Sequence, residues 1–280
     1  MAHKEFQELD LKDSFLFAAA LEDPETCQLV LEFIMGWPVG PVKVSVEHSL
    51  LFSKDFRYVR FDVYASNEMK VFYDMEMQNA HKEELPKRAR FHQAEMDATY
   101  LKPGQNFNDL PVSYVIFICT YDPFDSGLYR YTYEEQCKET GECLGDGTCK
   151  IYLNTKGTND ADVPEELIHF LNYVENSTKD YAEESGDEKI QELHRKVEAL
   201  KKSRRLEEAY MTMEELLADR EAEGREEGKA EGIAEGKAEG CQMMLELVSL
   251  MANDGLAGEI PRLSEDQEFC KSMLEKYHLE

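Results

Sequence analysis

At 280 residues, with 42% hydrophobic and 32% charged side chains, the chain is long and apolar enough to bury a core. No apolar run approaches the roughly 18 residues that a membrane span needs, and residues 1–21 lack a basic start followed by a hydrophobic stretch and a cleavage site, so the expectation is a cytoplasmic protein with no membrane partner. The formal net charge of -27 argues against gross nucleic-acid affinity, yet residues 43–102 carry ten basic and ten acidic side chains, so the whole net charge lies outside that span.

Taken in chain order, Asp13-Ser14 caps a short helix running to Leu21, and Asp23-Pro24 starts another, with a capping side chain followed by Pro at the first helical position. Cys27, Val30, Leu31 and Ile34 recur on its apolar face, and Gly36-Trp37-Pro38 ends it. From Val42 the pattern is extended. Arg60 to Tyr64 and Val71 to Gln78 read as paired strands, with Ser66-Asn67-Glu68 as turn residues. A helix from about Glu84 to Leu101 follows and stops at Pro103-Gly104. Val115 to Cys119 is a continuous apolar run that suits a strand covered on both faces. Leu128 to Tyr133 and Ile151 to Leu153 read as short extended pieces. Tyr129, Tyr131 and Tyr133 alternate there, favouring sheet packing over nucleotide stacking.

Asp162-Val163-Pro164-Glu165 reads as a capped helix start with Glu165 at the third helical position, and a second helix spans Asp187 to Leu217. Its basic patch, 201–205, is isolated in acidic surroundings and reads as a solvated face rather than a nucleic-acid contact. A four-residue repeat then places Gly at 224, 228, 232, 236 and 240. Each such Gly costs a helix about 1 kcal/mol relative to Ala, and Glu223, Glu227, Glu231, Glu235 and Glu239 repel one another at i, i+4, with the basic residues off their face. Two readings stand: a hydrated, partly helical linker, or a helix whose small rows admit a second copy, giving a homo-oligomer through the C-terminal helices. Apolar helix resumes from Met243 to Met251, and Ser264 opens a last one. The seven cysteines are scattered and read as reduced thiols. Cys137, Cys143 and Cys149 have no CxxC pair and no nearby His, so zinc is not expected.

The chemistry concentrates on the hairpin. Alternation sends Val71, Tyr73, Met75 and Met77 to a core face and Phe72, Asp74, Glu76 and Gln78 to the other, where Asp62 of the preceding strand can join Glu76 and Gln78. Mg²⁺ favours one or two carboxylates with waters and substrate phosphate, which Asp62 and Glu76 offer, with the Met77 carbonyl as a third ligand; Gln78 can orient a water. Spacing alone also fits plain solvent-facing residues. On the next helix, His92 fits helix packing better than substrate contact. No Gly-rich phosphate loop and no serine nucleophile elbow is present.

Val59 to Tyr64, Tyr73 to Gln78, Lys87 to His92, Leu101 to Gly104, Tyr114 to Cys119, Asp122-Pro123-Phe124, Leu153-Asn154-Thr155 and the Glu-Gly repeats form an ordered set of motifs spanning most of the chain. In them the chain resembles the PD-(D/E)XK nuclease family transposases, also called Rpn-type recombination-promoting nucleases. The resemblance implies an α/β fold with a restriction-endonuclease-like core, a mixed sheet flanked by helices, extended by a helical Glu-Gly-repeat C-terminus. It implies Mg²⁺-dependent DNA cleavage, with Mn²⁺ as a substitute, Asp62 and Glu76 as metal ligands, and Gln78 where the wider superfamily carries Lys. An amide brings no positive charge, which Arg88, Arg90 or Lys70 would have to supply; Arg60, Arg88 and Arg90 are the candidates to contact DNA. The competing expectation is a weak or inactive nuclease fold acting in DNA binding or assembly. The expected divisions are 1–180 for the nuclease-like domain, 181–222 for a helical extension, 223–240 for the repeat and 241–280 for a small helical tail.

Overall fold

The computed structural model describes residues 4–50, 59–67, 70–81 and 83–279, and of 46–50 and 59–62 the backbone alone. By internal contacts the chain divides into two compact units, 1–211 and 212–280.

In the first unit, α1 (Ser14–Leu21) is apolar on every side and buries all but its first residue, as a helix inside a core must. The Asp13 carboxylate accepts from the backbone N–H groups of Phe15 and Leu16. α2 (Pro24–Met35) is capped by Asp23 and ends at Gly36, whose φ of 78° suits a residue without a Cβ. The sheet then builds from β1 (Val42–Leu50), β2 (Val59–Asn67), β3 (Val71–Gln78), β4 (Val112–Cys119), β5 (Arg130–Tyr133) and β6 (Thr148–Asn154), in the order β1-β2-β3-β4-β6-β5.

β1, β2 and β3 pair antiparallel, whereas β3, β4 and β6 run parallel, so the sheet is mixed, as expected. A parallel neighbour cannot be reached by a tight turn. The helix α3 (Leu85–Tyr100) makes the crossover from β3 to β4. One face of the sheet packs on α1 and α2, behind which lie α4 (Glu165–Glu175) and α6 (Glu188–Lys201). On the other face, Leu85, Ala89 and Met96 of α3 pack with Val115, Phe117, Cys119, Tyr131 and Tyr152. β4 is therefore buried on both faces, as its continuous apolar run requires.

Several boundaries differ from the sequence expectation. The turn between β2 and β3 starts later, because Asn67 belongs to β2 and its side chain accepts from Val71 N–H; Glu68 lies outside the described residues. Asp162 sits in a 3-10 turn and Pro164 takes the cap position, so Glu165 begins α4 rather than standing third. The expected helix from Asp187 to Leu217 is two helices. α6 ends at Lys201, and Ser203 turns the chain into α7 (Arg204–Asn253), its carbonyl accepting from Leu206 and Glu207. A short helix, α5 (Lys179–Glu184), precedes them on a Thr178 cap that the sequence reading passed over. Lys201 is buried and pairs with Glu198, and Arg204 pairs with Glu208, so the basic patch marks this junction. Tyr129 and Tyr131 are buried and the Tyr131 hydroxyl donates to Asp122 at 2.6 Å, whereas Tyr133 is half-exposed and packs edge-on to Tyr152.

In the second unit the Glu-Gly repeat is continuous helix within α7. Arg225 does find a partner, Glu221, one turn earlier at 3.0 Å, so the charges pair across the start of the repeat although they cannot pair within it. Leu247, Met251 and Leu263 form a small core with α8 (Arg262–Glu265) and α9 (Gln267–Tyr277). α9 is capped by Asp266; Ser264 lies inside α8.

Glu175 at the end of α4 ties the first unit together. Lys12 reaches it at 2.9 Å, Lys156 at 2.8 Å and the Thr155 hydroxyl at 2.6 Å. Burial works to raise its carboxyl, but these hydrogen bonds and the Lys12 charge outweigh burial and hold it at about 2, from an ordinary 4.5. A depressed carboxylate contributes stability above its unfolded value and loses it as pH falls through the folded one. Acid unfolding between about 4.5 and 2 should therefore flatten in Glu175→Gln, measured by tryptophan fluorescence against pH.

A Cβ at any of the five repeat glycines would meet nothing within 4 Å. Replacing Gly228, Gly232 and Gly236 by Ala should raise helical ellipticity and stabilise the helix by about 1 kcal/mol per site. An unchanged melt would contradict a regular helix here.

Candidate active site

β3 carries Asp74, Glu76 and Gln78 on the face covered by α3, and the helical spacing of four places Arg88 and His92 above them. The second face of the hairpin is thus not open to solvent as a plain polar edge: Asp74 is 1% exposed and Gln78 is buried. His92, also buried, has Nδ1 2.6 Å from Asp74 Oδ2. The two buried side chains thus satisfy one another through a single hydrogen bond. The other ring nitrogen, Nε2, lies 3.7 Å from Glu76 Oε2.

Arg88 completes the arrangement. Its guanidinium pairs with Glu76 Oε1 through Nη2 and donates from Nη1 to Gln78 Oε1 at 2.7 Å. Gln78 Nε2 donates in turn to the Ala80 carbonyl at 2.9 Å, which fixes the orientation of the amide. Phe117, opposite Glu76 in the parallel register of β4, forms the floor: the guanidinium lies 5.7 Å from its ring centre and the His92 ring 5.8 Å. Glu76 Oε2 and Asp74 Oδ1 are buried with no hydrogen-bond partner among the described residues.

Asp62 belongs to β2, opposite Glu47 of β1. Val63 pairs with Met75, and Asp62 and Glu76 are the next residues along the two strands. The side chains of Asp62 and Arg60 lie outside the described residues. Met77 points its side chain into the core. Arg90 is exposed, two positions round α3 from Arg88. Lys70 cannot supply charge to the site: it holds a positive φ of 59° at the start of β3, and the six residues to Glu76 span roughly 20 Å of strand. Cys119, opposite Gln78 in the register, is no nucleophile, because burial, with the Glu76 charge adding, pushes its thiol to about 12.

A family model described as PD-(D/E)XK nuclease family transposase matches residues 48–227, well over half of the chain. The chain belongs to this family. No curated protein and no solved structure matches it. The six-stranded mixed sheet flanked by helices is the α/β arrangement of a PD-(D/E)XK fold, and the matched span contains Asp62, Glu76, Gln78, Arg88 and His92 together.

PD-(D/E)XK nucleases generally use divalent metals such as Mg²⁺. Among the described residues, to which the Asp62 side chain does not belong, no group of three or more His, Cys, Asp or Glu could hold a metal ion. The donors present fit a hard cation. Glu76 and Gln78 offer oxygens, and a positive group, the Arg88 guanidinium, already stands against both.

The sequence reading missed the Asp74–His92 pair. Its signal was there: Asp74 shares the parity of Glu76 on β3, and His92 lies one helical turn after Arg88. Removing the imidazole strands a buried carboxylate, so His92→Ala should lose about 3 kcal/mol of stability in urea unfolding, with Asp74→Asn losing less.

Proposed function

We propose that this protein is a metal-dependent DNA endonuclease, hydrolysing phosphodiester bonds in recombination or mobile-element processes. The observation that carries the reading is the pairing of β2 with β3, which puts Asp62 and Glu76 one residue beyond the Val63–Met75 pair, with Gln78 two residues further on. Asp62, Glu76 and the Met77 carbonyl would hold Mg²⁺, or Mn²⁺ in its place. When bound, the ion supplies Lewis acidity at the phosphoryl group and lowers the pKa of the attacking water.

The chain's own residues do the rest. His92, anchored by Asp74, packs beside Glu76, its Nε2 3.7 Å from Glu76 Oε2. Gln78 is held by Ala80, and the second lone pair of its Oε1 can accept a hydrogen of the attacking water and aim its oxygen. Arg60, Arg88 and Arg90 meet the phosphates, and Arg88 brings the positive charge that an amide at 78 lacks.

Plasmid nicking in Mg²⁺ tests this. Wild type should relax supercoiled DNA, and Asp62→Ala and Glu76→Ala should each lose about a hundredfold or more in rate. Cleavage that survives both substitutions would sink the assignment. One observation favours a second reading, a nuclease fold that binds DNA without cutting it: Arg88 occupies Glu76 and Gln78. Salt-dependent binding with no nicking in Mg²⁺ or Mn²⁺ is its signature.

A further inference from the structure

We infer that Arg88 is the resting counter-ion of the site, and that a divalent cation takes Glu76 from it by exchange, which also releases the Gln78 amide oxygen to the attacking water. The inference rests on the nuclease reading and concerns how its metal is admitted.

The two oxygens of Glu76 are not equivalent. Oε2 is fully buried and turned toward His92, whereas Oε1 is the oxygen that Arg88 holds. The whole side chain is 14% exposed, so an ion arriving from solvent reaches Glu76 on the side of Oε1. The same guanidinium covers Gln78 Oε1, at 2.7 Å. One residue thus holds both the Glu76 oxygen that a cation would take and the Gln78 oxygen that would aim the water. Arg88 itself is 25% exposed, more than the carboxylate it pairs with, and its guanidinium lies 5.7 Å from the Phe117 ring centre.

The charges also favour exchange. Asp74 is buried and Glu76, two residues on along β3, is 14% exposed, and Asp62 is the next residue on the neighbouring strand after the Val63–Met75 pair. A single guanidinium offsets one negative charge, and a divalent cation offsets two in a smaller volume. Without a cation, removing Arg88 leaves Glu76 without its ion-pair partner.

The test is calorimetric titration of Mg²⁺ into the EDTA-stripped full chain, wild type against Arg88→Gln, Arg88→Lys and Glu76→Gln, with melting temperatures recorded with and without Mg²⁺. Arg88→Gln should bind Mg²⁺ about tenfold tighter than wild type, since a charge-assisted contact no longer has to be broken. Arg88→Lys, a point charge that cannot bridge both acceptors, should fall between them. Mg²⁺ should also raise the melting temperature of Arg88→Gln more than that of wild type, and this readout serves if the variant is poorly folded without the ion. If Glu76→Gln abolishes binding but Arg88→Gln binds no tighter than wild type, the exchange is overturned and the nuclease reading stands. If Glu76→Gln binds as wild type does, or no form binds, both fall.

Discussion

Burying a carboxylate among apolar side chains costs several kcal/mol unless a positive or hydrogen-bonding group meets it there. β3 does this twice, at Asp74 and Glu76, and α3 answers with His92 and Arg88. That demand fixes the register of helix against strand. Rotating α3 by one residue, about 100°, would withdraw both partners and leave two charges beside Val115 and Phe117. The apolar contacts of Leu85, Ala89 and Met96 hold the helix down, but they are less particular about its rotation than the ion pairs are.

The sheet topology sets the neighbours of β3. Its antiparallel neighbour β2 carries Asp62 one residue beyond the Val63–Met75 pair, and its parallel neighbour β4 brings Phe117 beside Glu76. The parallel pairing demands a crossover, and the crossover is α3 itself, so the segment that delivers Arg88 and His92 is also the one that covers the strand. Tyr73, Met75 and Met77 meanwhile pack toward α1 on the opposite face. Chemistry and core share one strand because its side chains alternate.

The second unit follows different rules. Its core is small, built from Leu247, Met251 and Leu263 with the helices that fold back on them. The repeat within α7 is exposed, and its five glycines are in helical conformation with open space where a Cβ would be. Nothing inside the chain requires Gly at these positions. The helix persists there despite its propensity, and local ion pairs such as Arg225–Glu221 lend only modest support.

Much of the fold was written in local patterns. The Asp13 and Asp23 caps, the continuous apolar run of β4 and the alternation of β3 each depend on a few neighbouring residues, so the sequence by itself determined those elements, and the ordered motifs around Asp62, Glu76 and Gln78 determined the family. Boundaries set by competing caps were not legible: Pro164 displaced Asp162, Ser203 split an expected helix, and Asp266 took the place of Ser264. Only the tertiary structure decided that Asp74 is a buried partner of His92, that Gln78 is already engaged, that Lys70 lies too far away, and that Arg88 rather than Arg90 reaches the strand. Sequence periodicity assigns a side chain to a face, but which helix covers that face, and at what rotation, depends on pairings between residues distant along the chain.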